Sequence, residues 1–307
     1  MPSTKNERPG LSRRRRDRSS PKSSRAPGEL TSGPARRLFE VRIVSWNVAR
    51  LRERLAEQAA ALAGREPDVV ALQEVTQRTL PLWTAALTTL GLTHIRASLD
   101  DADPARQPAA RRRTGVLLSS RAPLTDASTV LPVPWPETAV AATTSSVEAG
   151  VVELHCVHVP NAANGWVKVR TLEAIRSGLA SGPPARRVLC GDLNTPRREL
   201  PSGEVISFAR DSRGRLRPDR GSEWDDAELG VVPGLREVGY EDAFRALHGY
   251  ARKEPSWTWR RIAGHGGGWR LDHLFASTKL RPVAAMYHHG WRERSLSDHS
   301  PLEVDLR

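Results

Sequence analysis

From Phe39 onward the chain alternates short apolar runs with helical stretches, and several neighbouring runs have no helix between them. That pattern limits the fold. Successive parallel strands need a crossover, usually a helix, whereas two packed sheets flanked by helices do not. The expected class is therefore α+β, a sandwich of two sheets rather than a doubly wound parallel sheet. Val41–Asn47 reads as a strand, Leu51–Ala63 as a helix stopped by Gly64, and Asp68–Gln73 as a buried strand. Leu80–Leu90 reads as a helix ended by Gly91. Thr93–Ala97 and Gly115–Ser119 read as strands of a second set, on either side of a polar loop, Asp100–Arg113. Val151–Val159 is predicted as a strand, Val167–Leu179 as a helix, and Arg187–Cys190 as a strand running straight into Gly191-Asp192-Leu193-Asn194. Val205–Phe208 with the turn Ser212–Gly214 suggests a small hairpin. Asp225–Leu229 and Tyr240–Leu247 read as helical, and Leu271–Phe275, Val283–Tyr287 and Leu302–Leu306 as strands.

Residues 1–38 are rich in Ser, Pro, Arg and Gly and lack hydrophobic period, so they are expected to be a disordered basic tail before a domain at 39–307. Residues 1–40 hold eleven Lys and Arg against four acids, a net +7 of the chain's +12. A basic chain favours polyanionic partners, nucleic acid above all. The RRRRDR run reads either as a phosphate-binding arm or as a solvated tail, and Arg111–Arg113 either as a grip on a phosphate backbone or as a solvated loop. No apolar run is long enough to span a bilayer, and the N-terminus has no apolar segment of the signal-peptide kind. A cytoplasmic protein without a membrane partner is expected. Cys156 and Cys190 sit in separate apolar runs without a CxxC partner, and are expected to be buried, reduced thiols.

Polar or ionisable residues close apolar runs in five places. Asn47 ends VRIVSWN, Glu74 ends DVVALQE, and His158 ends LHCVH. Asp192 and Asn194 follow RVLC, and Asp298 and His299 precede PLEVDL. A single acid at a strand end is usually a turn or a cap. Five such places suggest groups held by a rigid sheet around one site. The set offers carboxylates, imidazoles and amides but no thiolate cluster. Oxygen donors suit a hard cation, Mg²⁺ or Mn²⁺, which stabilises charge on a phosphoryl oxygen while His or Asp deprotonates water. There is no G-x-S-x-G for serine chemistry. Gly266-Gly267-Gly268 lacks the Lys-Ser/Thr of a P-loop. His155 lies three residues before His158 and so on the other face of a strand. His288 and His289 read as plain strand-end residues. Trp257, Trp259 and Trp269 read either as core or as surfaces for stacking bases.

SWNVARLR, ALQEV, HVPNAANG, CGDLNTP, GWRLDH and SDHSP occur in this order, and together they resemble the endonuclease/exonuclease/phosphatase (DNase I-like) superfamily over residues 41–307. The resemblance implies a four-layer α/β sandwich with two packed mixed sheets flanked by helices, and an active site at one edge of the sheets. It implies that Glu74 binds the divalent metal with Asn47 adjacent and Asp298 helping. Asp192 would position or activate water or serve the leaving group, and Asn194 would hold the phosphate. His299 would contact the phosphate or act as base, oriented by Asp272. Asn161, Trp257 and Trp269 would contact substrate. GWRLDH, HVPNAANG and GDLN look closest to the exonuclease III/class II AP endonuclease branch, which acts on DNA. The chain departs from that branch at His158, where Tyr is usual, at Ala49, where Asp is common, and at Ser256, where a pocket aromatic falls.

The expected function is a metal-dependent phosphodiester hydrolase, most directly a monomeric nuclease with DNA as partner. Two alternatives stand beside it: a phosphatase or phosphodiesterase for a small or lipid phosphoester on the same fold, and a non-catalytic nucleic-acid binder.

Overall fold

The computed structural model describes residues 41–99, 114–146, 150–181, 185–262 and 265–307. The expectations for residues 1–38, for Asp100–Arg113 and for its three arginines lie outside them. In chain order the first elements are β1 (Val41–Asn47), α1 (Leu55–Ala63), β2 (Val69–Thr76), α2 (Leu80–Thr89), β3 (His94–Ala97), β4 (Thr114–Ser120), β5 (Leu124–Thr125) and β6 (Ala139–Ser146). Next come β7 (Gly150–His158), α3 (Trp166–Ala180), β8 (Arg187–Asp192), β9 (Arg198–Glu199), β10 (Val205–Ile206) and α4 (Gly221–Val231). The last are β11 (Tyr240–Asp242), α5 (Ala243–His248), β12 (Trp257–Ile262), β13 (His265–Trp269), β14 (Asp272–Ser277), β15 (Pro282–Tyr287), α6 (His289–Glu293) and β16 (Leu302–Leu306).

Two six-stranded sheets form, in the orders β15-β16-β1-β2-β4-β3 and β11-β14-β8-β7-β6-β5. Each is mixed: β1–β2 and β7–β8 run parallel, beside antiparallel neighbours. Three apolar clusters separate four layers. One lies between the sheets and is built from the alternate residues Val41 and Ile43, Val152, Leu154 and Cys156, Val188 and Cys190, Leu274 and Ala276, and Leu302 to Leu306. A second joins α1, α2 and Trp291 to the outer face of the first sheet through Trp46, Leu62, Leu72 and Trp83. The third seats α3 and α4 on the second sheet through Val169, Leu172, Ile175, Trp224 and Leu189. This is the four-layer sandwich. Both cysteines are buried free thiols, adjacent in the β7–β8 register. No helix among the described residues is long and apolar enough to cross a membrane.

Four local expectations change. β3 and β4 extend the first sheet rather than forming a second set; strand periodicity reports which face is buried, not which sheet is joined. Val205–Ile206 pairs with Arg198–Glu199, while the Ser212–Gly214 turn is closed by an Arg210–Leu216 bridge. Tyr240–Leu247 splits into β11 and α5, because Asp242 ends the strand and caps the helix, its Oδ1 accepting Arg245 N–H at 3.0 Å. β6 and the β12–β13 hairpin were not expected, since AVAATTSS has few large apolar residues and HGGGW is rich in glycine.

Candidate active site

Alternation delivers most of the site. The residues facing the inter-sheet core on β1, β7, β8 and β14 continue, at one end, into Asn47, His158, Asp192 and Asp272. Register then brings them together: His158 lies opposite Asp192 across β7–β8, and Asp192 opposite Asp272 across β8–β14. Gly191 permits this approach. A β-carbon there would fall 1.9 Å from Val157 O, and its φ is +142°.

Glu74 arrives differently. On β2, Val69 and Ala71 face the sheets' common core, so plain alternation would send Glu74 to the helix side, with Leu72. The strand instead bulges between Gln73 and Val75, with Glu74 at φ 60°. The extra residue restores the inward direction. Asn47 Nδ2 then donates to both acids, at 3.0 Å to Asp192 Oδ2 and 3.3 Å to Glu74 Oε1. One amide from the first sheet thus joins a carboxylate of each sheet. His158 Nε2 stands 3.7 Å from Asp192 and 3.8 Å from Glu74.

His299 precedes β16, in a loop fastened to β1. Ser297 Oγ donates to Asn47 O at 2.6 Å, and Trp46 Nε1 to His299 O at 3.2 Å. Its Nδ1 is 2.8 Å from Asp272 Oδ2, and its Nε2 faces Asp192 Oδ2 at 3.8 Å. Burial disfavours the imidazolium, but the two carboxylates outweigh it and raise the His299 pKa to about 10. Burial likewise pushes Asp192 up, with the charge of Asp272 adding to it and the His299 and His158 imidazoles opposing. Asp192 Oδ1 accepts Asn194 N–H at 2.9 Å. Asn194, at φ 50°, commits its amide nitrogen to Val159 O (2.8 Å) and Asp192 Oδ2 (3.4 Å). Behind it, the fully buried Lys168 donates to Asn194 O at 2.8 Å and pairs with Glu228 at 2.6 Å.

Glu74, His158, Asp192, Asn194 and His299 line a cleft of about 920 Å³, with Arg50, Trp135, Asn161, Trp257, Trp269 and Asp298 among its walls. Asp298 is exposed, and its Oδ2 accepts the Trp257 indole N–H at 3.1 Å. It therefore braces the tryptophan wall, and no contact joins it to Glu74 among the described residues. Trp257 stacks on Trp269 with centroids 5.2 Å apart, and Trp259 lies 4.7 Å from Trp269. Asn161 caps its own turn, accepting from Ala163 N–H at 3.1 Å. Ser256 is buried, and its Oγ receives the N–H groups of Leu271 and Asp272 at 2.9 and 3.1 Å, so it positions β14. His155 is buried on the other face, bonded to Glu153 at 2.9 Å. His288 and His289 pair with Glu303 and Glu254.

Asp192, Asp272 and His299 offer ligand atoms within 4.8 Å of one another. The ring is already bonded to Asp272 through Nδ1, which leaves only its Nε2 to face such a metal. The donor chemistry better fits a hard cation at Glu74, whose Oε2 has no aligned hydrogen bond although Arg50 Nε lies 2.8 Å away. Arg50 and Lys168 are site residues that sequence reasoning did not single out, and Ser256, noted there only as a departure, proves to position β14. Only Arg50 carried any signal, its place in SWNVARLR.

The fold is similar to that of several solved structures. An endonuclease/exonuclease/phosphatase from Beutenbergia cavernae matches at TM-score 0.60 and 20% identity, over 88% of this chain and 72% of that one. An AP endonuclease from Archaeoglobus fulgidus matches at TM-score 0.63 and 22% identity, over 86% and 98%. D. rerio TDP2 complexed with single strand DNA product matches at TM-score 0.59 and 18% identity, over 87% and 99%. No curated protein matches the sequence. A sequence model of the Endonuclease/Exonuclease/phosphatase family matches residues 44–299 and so spans every site residue from Asn47 to His299; this chain belongs to that family.

Proposed function

We propose that the protein is a divalent-cation-dependent phosphodiesterase that cleaves nucleic acid, with DNA as the substrate. The observation that carries this reading is the convergence of Glu74, Asp192 and His299 from two sheets on one cleft, with Asn47 and Asp272 bonded to them. Similar structures include the A. fulgidus AP endonuclease, TDP2 with its DNA product, and a Neisseria 3' phosphatase bound to a product DNA hairpin. The chain's net charge of +12 suits the same polyanion.

In this reading Asp192 takes the proton of the attacking water. Its raised pKa makes it a better base than an ordinary aspartate, and Asn47 and Asn194 fix its orientation. His299 is cationic at neutral pH, so it donates from Nε2 to a phosphoryl oxygen while Asp272 holds Nδ1. His158 stands between Glu74 and Asp192 as a further donor. Trp257 and Trp269 present an aromatic wall to a base or sugar. Glu74, with Asn47 beside it, would hold Mg²⁺ or Mn²⁺, which supplies positive charge for the phosphoryl and leaving oxygens.

The test is an assay of the purified chain with Mg²⁺ or Mn²⁺ on abasic duplex, plain duplex, single-stranded DNA, RNA and a generic phosphodiester. Cleavage of DNA that EDTA abolishes, and that Asp192→Ala and His299→Ala both lose, is the expected result. Turnover of the small ester alone would move the assignment to a small-molecule phosphodiesterase, and salt-sensitive binding without turnover would leave a binder.

A further inference from the structure

After Asn47 the backbone turns sharply, with Ala49 at φ 54° and Arg50 at φ 60°. Both are left-handed, a conformation that L-residues other than Asn and Asp seldom hold. The turn is pinned: Ala49 N–H donates to Asn47 Oδ1 at 3.0 Å, Leu51 N–H to Val48 O at 3.2 Å, and Gln58 Nε2 to Val48 O at 3.2 Å. It delivers Arg50 Nε to 2.8 Å from Glu74 Oε2. Glu74 is itself held at φ 60° in its bulge, so two strained segments converge on one ion pair.

Stability does not account for this arrangement. The Arg50 side chain is 63% exposed, and exposed pairs contribute little to folding. The contact is also out of hydrogen-bond alignment, so it opens easily. Arg50 has no other partner among the described residues. Its remaining N–H groups form a planar fork suited to phosphate, and it lines the same cleft as Asp192 and His299.

We propose that Arg50 is a positioning residue that competes with the divalent cation for Glu74 and, once displaced from Oε2, turns to the substrate phosphate. The inference rests on the phosphodiesterase reading, because it takes Glu74 as the cation's carboxylate. Cation and phosphate then help each other: the cation frees the guanidinium, and the phosphate holds it away from Glu74. Neither effect needs a change elsewhere in the fold.

The test is titration of Mn²⁺ into the full chain, followed by the electron paramagnetic resonance of the free ion. Arg50→Gly suits φ 60° without a β-carbon, and Arg50→Gln keeps most of the side chain without the charge. Both are expected to bind Mn²⁺ about fivefold more tightly, the scale of one exposed ion pair removed as competitor. Arg50→Lys keeps the wild-type affinity. Saturating inorganic phosphate tightens Mn²⁺ binding in the wild type more than in Arg50→Gln. Unchanged or weaker Mn²⁺ binding in both uncharged variants overturns this inference and leaves the hydrolase reading standing. A wild-type chain that takes up no Mn²⁺ overturns both.

Discussion

Asp272 and His273 are neighbours on β14 and point to opposite faces, and each is half of an Asp–His pair. His273 bonds Asp242 through Nδ1 at 3.0 Å, and its Nε2 faces Thr195 O at 2.9 Å and Arg270 O at 3.0 Å. Asp242 is held far below the usual carboxylate range; burial opposes this, but Arg270 and His273 prevail. Arg270 also grips Glu199, which Arg245 shares. Every charge in that cluster has a partner. His299 has the same Nδ1–carboxylate bond at 2.8 Å, but among the described residues its Nε2 meets only Asp192, at 3.8 Å, and the cleft. The pairs differ in what the second nitrogen sees. A saturated pair is a fastener, and an unsaturated one has a proton to give.

Substitutions at the two acids would separate these roles. Asp272→Asn should cost the most in turnover, on the order of 10³-fold in kcat, because the imidazolium loses its orienting charge. Steady-state kinetics on a cleaved substrate checks it, and a fold that unravels with the activity would merge the two pairs. Asp242→Asn should act on stability instead. It leaves Arg270 short of a buried counter-charge, at a cost of about 3–5 kcal/mol in urea unfolding, with kcat per folded molecule preserved.

The pH dependence sharpens the contrast. The folded pKa of His299 is raised to about 10 from 6.5, so its pairing stabilises the fold fully below about pH 6.5 and is lost as pH rises towards 10. Turnover that needs the imidazolium falls on the same side. Imidazole NMR should find this titration near pH 10 in the wild type and lower in Asp272→Asn. A His299 ring that titrates near 6.5 in the intact protein would erase the distinction. The smallest effect is expected at Trp259, 40% exposed and outside both pairs. Trp259→Ala should raise KM for DNA by about tenfold or less, the low end of base stacking, without moving the pH limb.

Much of this site is legible in the sequence because it continues a regular pattern. Asn47, His158, Asp192 and Asp272 stand where the next core-facing residue of each strand would be, so period-two counting reaches them. Glu74 sits at the wrong parity and enters only through the bulge, which no glycine or asparagine announces. Glu74 is legible as a strand-end acid but not as geometry, and Arg50 is legible only as part of SWNVARLR, since its left-handed backbone occurs at a residue that disfavours it. β6 escapes because AVAATTSS acquires its burial from neighbours rather than from large apolar side chains. Asn194 and Asn161 are readable as residues but not as geometry: their amides serve the protein's own backbone in ways that spacing does not encode.

The bond from Asn47 to Asp192 crosses from one sheet to the other, and the His299 loop is latched to β1 immediately before β16 zips alongside it. The cleft is therefore incomplete until residues beyond 299 are made and β16 has paired with β1. Half-made or slipped copies carry the same acids and imidazoles without the arrangement, so the site comes into being only with completed assembly.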